Sequence, residues 1–278
     1  LAADLHPDAW VGQKAVDYIL NSDKDMHQFC WISFSGPHYP IDAPQEYLDK
    51  VDMDKDSGRV FKENEWDDPS KYHYNGFHGP GTTEGSGCAP NRAQKNYDEE
   101  YWKKWRKSYF GNVVLIDEWI GKILFAARER WGEEFAVVFT SDHGEMMGNH
   151  SLWGKNGSLF EDVLRVPLAI ALPGQNKSKQ KDMLVNSVDV FPTLLDIAGI
   201  PVPDTIDGNS LINESYTGHS FILSECENRV ALIVDSIKLE WNYYQRGKQL
   251  YKELYDLKID PYEFVNQYDN PAYAKQKA

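Results

Sequence analysis

Asp142 and His143 stand together just past the most strand-like run of the sequence, Phe135-Ala136-Val137-Val138-Phe139-Thr140, with only Ser141 between. Open α/β sheets gather their ligands at such strand ends. A carboxylate beside an imidazole on a glycine-containing turn can meet one divalent cation with two side chains. A solvated turn with a capping aspartate is the plainer reading of the same residues. Farther along, Trp153-Gly154-Lys155 brings a lysine, a compact positive charge suited to an anionic oxygen, although a lysine in such a loop is ordinarily just solvated. His38 sits in a second loop, Ser35-Gly36-Pro37-His38-Tyr39-Pro40. Its ring could donate a hydrogen bond to the same anion or protonate a leaving group; a purely structural hydrogen bond is the alternative.

These loops need elements to hold them. Apolar residues at Trp10, Val11, Ala15, Tyr18 and Ile19 recur at helical spacing, so Asp8 to Leu20 is expected to be a helix. Phe29 to Phe34 is short, apolar and rich in β formers, and reads as a buried strand running into the His38 loop. A long helix is expected from about Tyr97 to Arg130, with Val113, Ile116, Ile120 and Leu124 on one face. Strands follow at 135–140 and at Pro167 to Leu172. A helix from Val188 to Ala198 is closed by Gly199 and Pro201. This alternation predicts an α/β mixed sheet layered by helices. After about Thr205 the short strand-like pieces 221–224, 230–235, 238–241 and 254–257 predict a small antiparallel subdomain. The expected division is therefore 1–205 and 206–278. Within the first part, 51–96 forms a long polar insertion whose aromatics, Trp66, Tyr72, Tyr74 and Phe77, either line a cleft or pin the loop to the body.

Bulk properties narrow the function classes. With 43 acidic and 29 basic residues the chain carries a formal charge of −14, which repels nucleic-acid phosphates, and no basic stripe overrides it. An anionic substrate would have to be drawn by local cations or a metal. No run approaches the roughly 20 apolar residues that span a bilayer, so neither nucleic acid nor membrane is an expected partner. Cys30, Cys88 and Cys226 form neither a disulfide framework nor a zinc pattern, and leave the redox compartment open. The chain opens on Leu1, so the absence of a leader there says nothing about export, and a periplasmic or secreted location stays compatible.

Taken together, the motifs resemble the type I sulfatase family of the alkaline phosphatase superfamily. Gly36-Pro37-His38-Tyr39-Pro40 resembles the family's A-P-H-x-P turn. The run Thr140-Ser141-Asp142-His143-Gly144-Glu145, Gly148-Asn149-His150 and Trp153-Gly154-Lys155 is very similar to T-S-D-H-G-E-x-x-G-x-H-x-x-W-G-K. Tyr109 to Gly121, Arg165-Val166-Pro167-Leu168, Val188 to Leu195, Ala198-Gly199-Ile200-Pro201, Lys238-Leu239, Leu254-Tyr255-Asp256-Leu257 and Asp260-Pro261-Tyr262-Glu263 continue it in family order.

The resemblance implies an alkaline-phosphatase/sulfatase-like fold and hydrolysis of sulfate esters, with sulfated carbohydrates the expected substrate class. Asp142 and His143 would be ligands of a single divalent metal, usually calcium, with Asp142 the firmer of the two. Lys155 would contact the sulfate, and His38 would assist departure of the alcohol. Asp117, Asp189 and Asp256 match positions without assigned chemistry. Phosphodiesterases and phosphonate monoester hydrolases of the same superfamily are the nearest enzymatic alternative; an inactive anion-binding module is the non-enzymatic one.

The family's aspartate pair and its C/S-x-P-S-R turn, whose Cys or Ser becomes the formylglycine nucleophile, do not precede His38 here. Cys88-Ala89-Pro90-Asn91-Arg92 fits C-x-P-x-R but lies after the histidine turn, so an unmodified thiol is expected. The chain is accordingly expected to be a carboxy-terminal fragment, inactive alone, whose site is completed by an amino-terminal part of the same protein.

Overall fold

A computed structural model of the 278-residue chain describes residues 2–63, 65, 97–155, 158–175, 177–226, 229–242 and 251–277. Most of the expected insertion, with Cys88 and its four aromatics, lies outside them. The contacts divide the chain into two units: Leu1–Gly58, Asn96–Val137 and Ala171–Asn176 form one, and Arg59–Lys95, Val138–Ile170 and Lys177–Ala278 form the other.

The first unit is built on two helices. Helix α1 spans Pro7–Asn21, with proline at its start and the His6 ring accepting from the Asp8 amide at 3.2 Å. A short α2 spans Gln45–Leu48. Helix α3, Glu99–Trp131, is capped by Asp98, whose carboxylate accepts from the Tyr101 amide at 2.8 Å, and stops at Gly132 with φ of 67°. A proline-started helix and a glycine-closed one follow from the fixed φ of one residue and the left-handed freedom of the other. Ile19 of α1 and Ile123, Ala126 and Ala127 of α3 form the core, with Ile32, Phe34, Trp131 and Phe135 packed against it.

The buried seam of α3 runs through Leu115, Ile123, Ala126 and Ala127, whereas Val113 is 41% exposed. The expected stripe was rotated by about one residue, roughly 100° on a helix with 3.6 residues per turn, because α1 rather than hydrophobic spacing alone selects the face.

Residues 29–34 pair with no strand among the described residues. Ile32 and Phe34 face the helical core, while Phe29 and Trp31 are 68% and 74% exposed. The segment alternates as a strand should, yet it is buried on one side only, against the expectation of a buried strand.

Two sheets lie mainly in the second unit. Strands β1, Val137–Thr140, and β2, Leu168–Ala171, pair with each other, and a short helix α4, Glu161–Leu164, lies between them in the chain. Helix α5 spans Val190–Ile197. Four antiparallel strands then follow in sequence order: β3, Ile222–Cys226; β4, Arg229–Val234; β5, Ile237–Asn242; and β6, Lys252–Asp256. The α/β architecture and the small antiparallel sheet are those expected.

One face of that sheet departs from the usual pattern of apolar side chains inward. On β5 it is Lys238, Glu240 and Asn242 that are buried, at 0%, 1% and 3% exposure, together with Arg229 of β4 and Glu253 of β6. Glu240 lies opposite Glu253, and Lys238 opposite Tyr255. Charges are almost never fully buried without partners: Glu240 lies 3.7 Å from Arg229 and accepts from the Tyr251 hydroxyl at 2.9 Å, and the partners of Lys238 are described below.

Candidate functional site

The His38 loop belongs to the first unit, and Asp142, His143 and Lys155 belong to the second.

In the first unit, Asp8 on the opening turn of α1 is 1% exposed. Its Oδ1 accepts from the Ser35 amide at 2.9 Å and the Ser35 hydroxyl at 3.2 Å, and the Gly36 amide lies 3.1 Å from both of its oxygens. A Cβ on Gly36 would lie 2.2 Å from Asp8 Oδ2, so glycine is what allows the carboxylate to grip the turn. His38 follows, with its amide bonded to the Ser35 carbonyl at 3.3 Å and its ring exposed. Its Nδ1 lies 2.7 Å from the Tyr39 carbonyl. A carbonyl only accepts, so Nδ1 carries the proton and Nε2 is the nitrogen left for exchange with a ligand.

In the second unit, β1 delivers Asp142 and His143 to solvent: the Asp142 side chain is 82% exposed and that of His143 37%. Asp142 Oδ1 accepts from the His143 amide at 2.9 Å, and His143 Nδ1 lies 3.0 Å from the Gly144 carbonyl. By the same tautomer logic His143 presents Nε2, and that atom is 3.4 Å from Asp142 Oδ2. One carboxylate oxygen and one imidazole nitrogen thus offer lone pairs side by side, and the outward-turned ring nitrogen of a ligating histidine is usually fixed in this way. Among the described residues no group of three His, Cys, Asp or Glu could hold a metal ion. The carboxylate suits a hard cation such as calcium, which takes about six to eight oxygen ligands; the imidazole suits it less well.

The turn continues into a tightly folded loop. The Gly144 and Glu145 amides donate to the Val163 and Asp162 carbonyls at 2.8 and 3.0 Å. A Cβ on Gly144 would sit 2.0 Å from the Asp162 oxygen. The Met146 amide donates to the Gly154 carbonyl at 3.2 Å, and the Gly154 amide donates to the Glu145 carboxylate. Lys155 is therefore tethered through its neighbour to the Asp142 turn. Burial pushes the Glu145 carboxyl up, while the Gly154 amide and the Lys155 charge oppose the rise. Lys155 is half-buried as a residue, and its ammonium makes no hydrogen bond or ion pair among the described residues.

The histidine of the G-x-H motif is structural. His150 is fully buried, its Nδ1 lies 2.7 Å from Glu65, and its ring stacks on Phe160 at 4.2 Å. Asn149 accepts from the Val60 amide at 2.7 Å and donates to Asp162 at 2.8 Å. Asp189, also fully buried, accepts from the Asn186 and Asn209 amides at 2.9 and 2.7 Å and meets His219 at 2.9 Å.

Sequence reasoning gave no role to Asp8, Glu145, Asp162, Lys238 and Glu263, although Glu145, Lys238 and Glu263 stand in its motif blocks, because nothing local marks a side chain whose partners lie far along the chain.

Three comparisons bear on this arrangement. A family profile described as Sulfatase matches residues 5–200. An arylsulfatase of Clostridium perfringens is 30% identical over 287 residues, covering 98% of this chain and 56% of its own length. The crystal structure of the phosphonate monoester hydrolase of Agrobacterium radiobacter superposes with a TM-score of 0.83 at 22% identity, covering 100% of this chain and 59% of that one. BT4656, solved in complex with its substrate D-glucosamine-2-N,6-O-disulfate, superposes with a TM-score of 0.73 at 19% identity, covering 98% of this chain and 67% of that one. The structural likenesses show a shared fold. The chain spans about half the length of the curated relatives it matches, at 56%, 52% and 55%.

Proposed function

The chain belongs to the sulfatase family, and on that premise we propose that the protein containing it is a sulfuric ester hydrolase. Asp142, His143 and Lys155 would hold the sulfate end of the substrate, and His38 would serve the departing alcohol. The observation that carries this reading is the Lys155 ammonium, unpaired among the described residues and tethered through Gly154 to the loop of Asp142 and His143. A cation held in no hydrogen bond or salt bridge among these residues, on the loop tethered to an exposed acid–imidazole pair, is suited to an anionic ligand.

Asp142 would be an oxygen ligand of one divalent cation, calcium by the chemistry of its carboxylate, with His143 beside it and further ligands from outside the described residues. Such a cation supplies positive charge against developing negative charge on sulfate oxygens. Lys155 would neutralise a non-bridging oxygen in both ground and transition states. His38, as an imidazolium with Nδ1–H held by the Tyr39 carbonyl, would give its Nε2 proton to the bridging oxygen as the S–O bond breaks and be left as the neutral ring. The nucleophile, a formylglycine by family resemblance, would come from a segment outside these 278 residues, and the 278-residue chain alone would be inactive. The chain's coverage of about half of its relatives supports this division. A sulfated carbohydrate is the substrate class we favour, in line with the sulfated sugar bound by BT4656.

The test is turnover by the full-length protein of an aryl sulfate, a sulfated glucosamine and a phosphonate monoester. Sulfate release from the first two supports the reading. Phosphonate hydrolysis with little sulfate release would overturn it in favour of the superfamily alternative.

A further inference from the structure

Beyond the residues that would touch substrate, we infer that Lys238 and Glu263 are positioning residues for the Asp142 turn and the Lys155 loop, acting through the segment 158–163. This inference rests on the sulfatase reading for its kinetic consequences but not for its mechanical ones.

Lys238 on β5 is fully buried, and its ammonium lies 2.5 Å from Glu263 and 3.5 Å from Glu161. It also donates to the Leu159 carbonyl. Glu263 is 2% exposed, and its Oε2 accepts from the Glu161 amide at 2.7 Å. The two side chains therefore clamp the backbone on either side of Phe160, one through a carbonyl and the other through an amide. Glu263 holds this place from a left-handed backbone, at φ of 56°, which a non-glycine residue adopts at a cost that the surrounding contacts must offset.

The clamped segment reaches the candidate site by two routes. On one side, the Ser158 amide donates to the Lys155 carbonyl at 3.0 Å, and the Ser158 hydroxyl accepts from the Phe160 amide at 3.2 Å. On the other, the Asp162 and Val163 carbonyls accept from the Glu145 and Gly144 amides. Phe160 and Val163 pack with Met146 and Leu152 in a buried cluster, which makes the segment one packed body with the loop that it braces. Displacing the clamp would therefore displace both the lysine and the metal turn. Small shifts of groups that bind a reacting centre cost rate out of proportion to the distance moved.

The experiment uses the full-length protein carrying Lys238→Met, Glu263→Ala or Glu263→Gln, each checked for retained fold by circular dichroism. Amide hydrogen exchange reads the clamp directly. Glu263→Ala should speed exchange at Glu161, whose partner it removes, and also at Gly144 and Glu145, which it does not touch. On an aryl sulfate, Lys238→Met and Glu263→Ala should lower kcat/KM by roughly ten- to a hundredfold. Glu263→Gln, which keeps an oxygen for the Glu161 amide, should recover most of it. In a Lys155→Ala background, Lys238→Met should cost clearly less than in the parent. Equal cost in both backgrounds, or unchanged exchange at Gly144 and Glu145 when Glu161 loses protection, would overturn the inference. Should Lys238→Met fail to fold, the two Glu263 variants decide it through the same readouts. A wild-type protein with no sulfate turnover would sink the sulfatase reading alone, because the exchange result would still stand or fall by itself.

Discussion

Asp8 and Ser35 meet 27 residues apart in the chain: one oxygen of the Asp8 carboxylate takes both the amide and the hydroxyl of Ser35, at 2.9 and 3.2 Å. The contact ties the first turn of α1 to the loop that carries His38. Asp8→Ala would leave the Ser35 and Gly36 amides without their acceptor; Ser35 is exposed and Gly36 half-buried, so the cost is about 1 kcal/mol, the net worth of an ordinary hydrogen bond. Urea denaturation should show a loss of that order, with Asp8→Asn losing less because one acceptor oxygen remains. An unchanged midpoint for Asp8→Ala would mean that the loop does not depend on this carboxylate.

If His38 protonates the leaving oxygen, His38→Ala in the full-length protein should lower the rate by roughly 10²- to 10⁴-fold, the range of general acid–base groups. The loss should shrink for aryl sulfates with good leaving groups, which depart with little protonation. A uniform loss across a leaving-group series would assign the ring another role.

Calorimetry with calcium should separate the two strand-end residues. Asp142→Ala removes a charged oxygen ligand and should abolish most of the affinity, whereas His143→Ala should weaken it less, since a hard cation gains little from an imidazole. Equal affinities for wild type and Asp142→Ala would remove Asp142 from the metal site.

Two glycines should respond in opposite ways. Gly144→Ala places a Cβ 2.0 Å from the Asp162 carbonyl oxygen and should lower the thermal midpoint markedly. Gly121, within α3, has nothing within 4 Å of its Cβ position, and Gly121→Ala should stabilise by about 0.5–1 kcal/mol through the lower entropy of the unfolded chain. A stable Gly144→Ala protein would show that the close approach of the two loops is dispensable.

Burial pushes the Glu263 carboxyl from its ordinary 4.5 up to about 7, against the pull of Lys238. Burial would lower Lys238, but Glu263, Glu161 and Glu240 together hold it protonated. Between about 4.5 and about 7 the native protein keeps a proton on Glu263 that the unfolded chain has released. Stability from this group therefore falls as pH rises across that window, and levels off above it. The difference in unfolding free energy between wild type and Glu263→Gln, measured across the same range, should show the slope. A flat difference would mean that Glu263 titrates like an ordinary carboxylate.

Much of the fold was legible because its signals are short-range. Apolar runs marked β1 and β2, helical spacing marked α1 and α3, Gly199 and Pro201 marked the end of α5, and short strands between turn residues marked the four-stranded sheet. The motif blocks identified the family, and the local order of each motif was enough to name His38, Asp142, His143 and Lys155 as candidates. What the tertiary structure alone decided is which distant groups hold these loops in place. Nothing near Glu263 announces that it will accept from the Glu161 amide 102 residues away, and alternation along β5 would place Lys238 and Glu240 in water rather than in the interior. Hydrophobic periodicity reports which face of an element is apolar. Whether a charge can be buried depends on partners that only folding brings within hydrogen-bonding distance.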